Sequence, residues 1–197
     1  LVEAQSFERF ATDLTSQVFK LKESQPDVVV VYALGQEAVQ FFRAAEKLSW
    51  TPTVFGAGGL NDPKFVELLG NTPSQLYVAS YYDAVEGDNP AIQSFFEHYK
   101  KLYPRSAPSS TALMGYSAAA VAVEALERAG PEPSREKVIA ALDGMTGFDQ
   151  KIGPAITFQA LEAGPYSRRG QTGIALMQLQ DQKFKPLGSG YIDPVQR

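Results

Sequence analysis

Apolar positions along this chain alternate between two rhythms. Over residues 12–25, Leu14, Val18 and Leu21 recur at helical spacing, with Thr12 placed to cap the helix and Pro26 barring its continuation. Val28 to Tyr32 follows without a polar interruption, the pattern of a strand buried on both faces of a parallel sheet. Gly35 then opens a helix that turns Val39, Phe42 and Ala45 inward and runs to about Trp50, before Thr51-Pro52 begins a strand through Phe55. Helix and apolar strand in this order predict βαβ winding.

The alternation continues. Gly56, Gly58 and Gly59 form a turn, and Asp62-Pro63 supplies a cap and first-turn proline for a helix through Leu69, closed by Gly70-Asn71. Leu76 to Ser80 gives another strand, and Asn89-Pro90 starts a helix whose Ile92, Phe95, Phe96, Tyr99, Leu102 and Tyr103 form one stripe expected to be buried. Pro104 to Pro108 has the composition of a connector between lobes. After it, a helix from about Ser110 to Ala129 is rich in alanine and ends at Gly130-Pro131, and Ser134 caps one more to Met145. The remainder reads as strands over Ile152 to Phe158 and Thr172 to Leu179, with Asp181-Gln182 turning back towards Phe184 and Arg168-Arg169 on a solvated loop between them.

Composition narrows the function classes. The 197 residues, 44% apolar, suit one ordinary α/β domain or two incomplete ones. A formal charge of −4 is too weak and of the wrong sign for a nucleic-acid or anionic-membrane surface. The absence of cysteine removes disulfides, cysteine-ligated zinc and thiol nucleophiles. No stretch approaches the ~18 consecutive apolar residues of a membrane span. The start, Leu1 to Phe10, lacks a basic region followed by an apolar run, so it is expected to belong to a mature or trimmed chain whose N-terminus lies elsewhere.

A family resemblance rests on collinear stretches: Asp13-Leu14-Thr15-Ser16-Gln17-Val18, Gln25-Pro26-Asp27 before the apolar run, Glu37-Ala38-Val39, Gly56-Ala57-Gly58-Gly59-Leu60, and Asp88-Asn89-Pro90-Ala91. It continues through Ala112-Leu113-Met114-Gly115-Tyr116-Ser117, Phe148-Asp149, Ile152-Gly153-Pro154 and Leu176 to Phe184. In these the sequence resembles leucine/isoleucine/valine-binding proteins, the periplasmic solute-binding components of branched-chain amino-acid ABC importers. The resemblance implies a type I periplasmic-binding fold: α/β, a Rossmann-like parallel sheet flanked by helices, in two lobes of which the first is incomplete. It further implies that the chain is the C-terminal portion of such a protein. Residues 1–106 would be the second lobe without its first strand and helix, 107–150 helices returning to the first lobe, and 151–197 terminal strands and crossing segments. A ligand clamped by lobe closure, an ABC permease as partner, and a periplasmic or otherwise extracytoplasmic location, with or without a lipid anchor, are implied in the same way.

In parallel α/β sheets ligands lie beyond the carboxyl ends of the strands, which singles out three loops. Tyr32, Ala33, Leu34 and Gly35 precede a helix N-terminus whose amides can meet a carboxylate, or they form an ordinary glycine turn. Gly56, Ala57 and Gly58 let backbone approach a ligand, as any tight strand-to-helix turn would. Where relatives bind amino acids, the resemblance implies an acid in this loop holding the ligand ammonium; the matching position here is Gly58. Tyr81, Tyr82 and Asp83 offer aromatic faces and an acceptor, or an aromatic pair packed under a lobe edge beside a solvated acid. The expected ligand is therefore an amino acid, an aromatic or aliphatic carboxylate, or an amide, bound without cofactor or metal.

An enzyme finds little support. The lone histidine, His98, lies off the apolar stripe of its helix, and no nucleophile elbow, Walker-type phosphate loop or Gly-x-Gly-x-x-Gly is present. Tyr116 reads as packing. A second reading keeps the fold and changes the partner: a ligand-sensing receptor domain coupled to a signalling protein.

Overall fold

The computed structural model describes residues 1–70, 75–81, 89–160, 168–171, 173–188 and 190–192. Its elements begin α1 (Thr15–Glu23), β1 (Val29–Val31), α2 (Gly35–Lys47), β2 (Thr53–Gly56), α3 (Pro63–Leu69) and β3 (Gln75–Ser80). They continue with α4 (Pro90–Leu102), α5 (Ser110–Ala129), α6 (Arg135–Asp143), β4 (Thr157–Ala160), β5 (Arg168–Gln171), β6 (Ala175–Gln180) and β7 (Lys183–Pro186). The chain divides into two compact units, Leu1–Ser80 with Leu176–Gly188, and Tyr81–Ala175 with Ser189–Arg197.

The first unit is built on a five-stranded sheet in the order β1-β2-β3-β6-β7. β1, β2 and β3 run parallel, with Val29 opposite Val54 and Gly56 opposite Val78, and β7 returns antiparallel to β6. The sheet is mixed, closed at one edge by the hairpin whose Asp181 and Gln182 both take positive φ. Val54, Leu60, Leu76, Val78 and Met177 are fully enclosed. Helix α2 buries Val39, Phe42 and Ala45 as its periodicity requires, together with Ala38, Phe41 and Ala44. Phe42 meets Phe65 of α3 with ring centroids 6.4 Å apart.

Two expectations are corrected here. β1 is not buried on both faces: among the described residues it is an edge strand with one neighbour, so Val29 and Val31 are covered while Val30 is 72% exposed. Four consecutive valines permit double burial, but a second neighbour and a second covering layer are needed to achieve it. α1 is not capped by Thr12. It begins at Thr15, and the Asp13 carboxylate accepts from the Thr15 N–H at 2.9 Å.

The second unit holds α4, α5 and α6 with a two-stranded antiparallel ribbon of β4 and β5. The caps fall where the residue types place them. Asn89 accepts from the Ala91 and Ile92 N–H groups, Ser109 from Ala112 and Ser134 from Lys137. Ile92, Leu113 and Ile152 form its small core, with Phe95 and Phe96 partly buried against them. The aromatic stripe of α4 is not buried along its length, for Leu102 is 73% exposed and Tyr103 is exposed as well. Its rings cover one another instead, in a run Phe96–Phe95–Tyr99–Tyr103 with centroids 5.0 to 5.8 Å apart. Tyr116 packs on Phe95 at 5.1 Å yet remains half exposed.

The segment from Ile152 is not strand at its start. Phe148 and Ile156 form a bridge, and β4 begins only at Thr157. Arg168-Arg169 does not lie on a loop but in β5, paired with Gln159 and Ala160.

Candidate functional site

The loops at the carboxyl ends of β1 and β2 lie side by side because the parallel register brings Val31 opposite Gly56. The Ala57 N–H donates to the Val31 carbonyl at 3.2 Å, tying the start of one loop to the end of the other strand. Behind it, Gly58–Leu60 winds into a single 3-10 turn. The buried Asn61 amide donates to Ser80 Oγ at 2.9 Å and anchors that turn to the end of β3. Gly58 lies so close to β3 that a Cβ there would sit 2.5 Å from the Ala79 carbonyl oxygen, whereas one on Gly59 would meet nothing within 4 Å. A side chain at Gly58 would therefore require the Ala79 carbonyl to move.

Between these loops and the N-terminal segment lies a cavity of about 580 Å³. Tyr32, Ala33 and Leu34 line it from the first loop and Ala57 and Gly59 from the second, while Gln5, Ser6, Phe7 and Arg9 face them. Tyr32 is 89% exposed and Leu34 is also open. Helix α2 points its N-terminus at this region with no side-chain cap on its first turn, so that its amides and positive dipole end suit an anionic ligand group. Gly35, Gly56 and Gly58 do not line the cavity. Gly35 begins the helix, and Gly56 ends β2 in contact with Leu60, where a Cβ would come within 2.7 Å of Leu60 Cδ1.

One residue that the sequence reading did not place at a site joins this one. Glu37, in the first turn of α2, lines the cavity and is only 4% exposed. Its Oε1 accepts the Phe10 N–H at 2.9 Å, which pins the N-terminal segment at a residue with positive φ. The sequence does hold a signal for it. Glu37 is four residues before Phe41 and seven before Ala44, on the face of α2 that is otherwise apolar and buried.

Tyr81 falls in the second unit, where it lines a separate cavity of about 320 Å³ with Met114, Ser117, Gln150, Ile156 and Phe158. There Ser117 Oγ donates to Gln150 Oε1, and Gln150 Nε2 donates to the Pro154 carbonyl at 2.7 Å. Tyr82 and Asp83 lie outside the described residues.

The carboxyls whose acidity is shifted lie away from both cavities. Asp13, Glu136, Asp149 and Asp181 have carboxyls held below the ordinary range by local hydrogen bonds, chiefly from Thr15, the Glu136 backbone, Lys151 and Lys185 respectively. All four are exposed, Glu136 in the first turn of α6, and none lines either of these two cavities. His98 is exposed on α4, its Nδ1 beside the Ser94 carbonyl at 2.7 Å. Among the described residues no group of three or more His, Cys, Asp or Glu could hold a metal ion, and no helix is long and apolar enough to cross a membrane.

The comparisons agree with this architecture. The model of a family described as periplasmic binding protein matches residues 1–183. Leu/Ile/Val-binding protein homolog 8 of Brucella melitensis is 27% identical over 180 residues, 87% of this chain and 43% of that protein. Two solved structures share the fold. A leucine-binding protein of Thermotoga maritima superposes with a TM-score of 0.75 at 21% identity, covering 95% of this chain and 51% of that one. A solute-binding protein of an R. palustris ABC transporter, in complex with 4-hydroxybenzoate, gives 0.73 at 18% identity, covering 98% and 52%. The chain thus spans less than half of this curated relative and about half of these solved chains.

Proposed function

Since the chain belongs to the periplasmic binding protein family, we propose that it is part of the extracytoplasmic substrate-binding component of an ABC importer for amino acids or related small carboxylates and amides. The observation that carries this is the cavity of about 580 Å³ at the carboxyl ends of β1 and β2, beside the uncapped N-terminus of α2. Tyr32, Ala33, Leu34, Gly35, Gly56, Ala57 and Gly58 form or support the ligand face in this proposal. In this proposal residues 1–106 belong to the second lobe, 107–150 return to the first and 151–197 supply the terminal strands and crossings.

Function then follows from linkage. A ligand that contacts both lobes favours their closed arrangement by its differential affinity, and the permease recognises that form. No bond is made or broken, so the protein works as a receptor without cofactor. The lengths of the relatives support this reading, because a chain spanning about half of a two-lobed receptor carries only part of the clamp.

A thermal-shift series on the full-length protein and on this chain tests the proposal, using leucine, valine, benzoate, 4-hydroxybenzoate and short amides. A ligand at ~100-fold excess over its dissociation constant stabilises by about 2.7 kcal/mol. One ligand class should shift the full-length protein and leave the 197-residue chain unmoved or nearly so. If no compound of these classes shifts the full-length protein, the proposal fails.

A further inference from the structure

Within the binding-protein reading, on which it rests, Glu37 has a part to play that needs no contact with ligand. We propose that Glu37 is a positioning residue: it holds the turn at residues 8–11 in a conformation that the sequence there does not favour, and so fixes the cavity wall that faces the β1 and β2 loops.

The turn is closed by the Ala11 N–H, which donates to the Glu8 carbonyl at 3.1 Å. Of its two central residues, Arg9 and Phe10, only Phe10 has positive φ, at 65°. That is the pattern of a type II turn, whose third position ordinarily takes glycine because a side chain there crowds the backbone. A bulky residue in this region persists only where its surroundings enforce it. Burial of the ring does not enforce it, for Phe10 is 66% exposed and carries the Arg9 guanidinium 4.7 Å from its centroid.

The enforcing contact comes from α2. In such a turn the N–H of the third residue takes no part in the closing bond. Here the Phe10 N–H donates instead to Glu37 Oε1 at 2.9 Å, across 27 residues of sequence. Glu37 is 4% exposed, on the face of α2 that also buries Phe41 and Ala44, so a packed helix sets the position of the acceptor. Gln5, Ser6, Phe7 and Arg9, which precede or belong to the turn, line the cavity. Their place depends on one buried hydrogen bond at the foot of the segment. What is lost without it is a wall, so binding should suffer whatever the charge of the ligand.

Limited trypsinolysis reads the turn without any ligand, because the turn carries a cleavable bond, Arg9–Phe10, whose N–H is the one that Glu37 holds. In the wild-type chain this bond should be cut after Arg105–Ser106, which also lies at an exposed turn. Glu37→Ala removes the acceptor and should speed cleavage at Arg9–Phe10 by about 10-fold or more, with Arg105–Ser106 cut at its wild-type rate. Glu37→Gln keeps an acceptor and should restore cleavage to within about threefold of wild type. Titration calorimetry on the full-length protein, with leucine and with 4-hydroxybenzoate, should follow the same order. Whichever probe binds wild type should be weakened about 10-fold by Glu37→Ala and recovered by Glu37→Gln.

Cleavage at Arg9–Phe10 that Glu37→Ala does not accelerate overturns the proposal, as does accelerated cleavage with unchanged affinity. Loss of affinity in Glu37→Gln at a wild-type cleavage rate would mean that ligand touches the carboxylate itself, and overturns it too. Should Glu37→Ala not fold, wild type cut at Arg9–Phe10 before Arg105–Ser106 overturns it. Wild type that binds neither probe defeats the receptor reading and the ligand arm with it, while the cleavage arm still decides what Glu37 holds.

Discussion

Helix α2 has 13 residues and buries seven of them, Glu37 included. Helix α5 has 20, is richer in alanine, and buries Ser110, Leu113, Ser117 and Ala125. The more apolar helix is the less covered, with Met114, Tyr116, Val123 and Leu126 all about half exposed. Composition sets what a helix can bury, but the elements packed around it set what it does bury. α2 has α1, α3 and the turn after β2 against it, whereas the element most in contact with α5 is α6, a helix with no fully buried residue. In the proposed receptor the small residues of α5 await the remainder of the first lobe.

The largest effect that could break this comparison is a core truncation. Phe42→Ala should cost about 3–5 kcal/mol, whereas Leu126→Ala on α5 should stay within about 0.5 kcal/mol in this chain. Urea denaturation of both variants checks the pair, and equal losses would mean that α5 is covered after all.

A sharper contrast lies within one loop. Gly58→Ala must displace the Ala79 carbonyl and should destabilise by about 1–3 kcal/mol, while Gly59→Ala, one residue on and facing open space, should be near neutral. The same denaturation series reads both. If they cost alike, Gly58 is not pressed against β3.

The smallest effect concerns acid. The Thr15 hydroxyl and N–H hold the Asp13 carboxyl below its ordinary value of 3.8. A group lowered in the folded state contributes stability above its unfolded value, and that contribution is lost as pH falls through the lowered one. Wild type should therefore lose stability more steeply than Asp13→Asn as pH drops below about 4. Parallel slopes in acid would remove Asp13 from the account.

What could be read from the sequence was local. Asp62, Asn89 and Ser134 cap their helices because their side chains need only an amide two or three residues on. Gly70 and Gly130 end theirs with positive φ. What escaped depended on distant neighbours. The valines of β1 do not reveal how many strands flank them, and the rhythm of α4 continues through Leu102 and Tyr103 although both are exposed. The β4–β5 ribbon carries no alternating apolar pattern that would mark Arg168-Arg169 as strand. At the site, the position of Tyr32, Leu34 and Ala57 after strands was enough to place them at the cavity. Glu37 was missed because an acid in the first turn of a helix is ordinarily solvated and dipole-stabilised; only its i, i+4, i+7 alignment with Phe41 and Ala44 marked it as buried.

The central claim is that ligand is held at the carboxyl ends of β1 and β2. Amide hydrogen exchange on the full-length protein, with and without the compound that gives the largest thermal shift, tests it most directly. The account predicts added protection over Leu34 to Glu37 and Ala57 to Asn61, next to the cavity. Protection confined to α5 and the cavity lined by Met114 and Gln150, with those two loops unchanged, would contradict it.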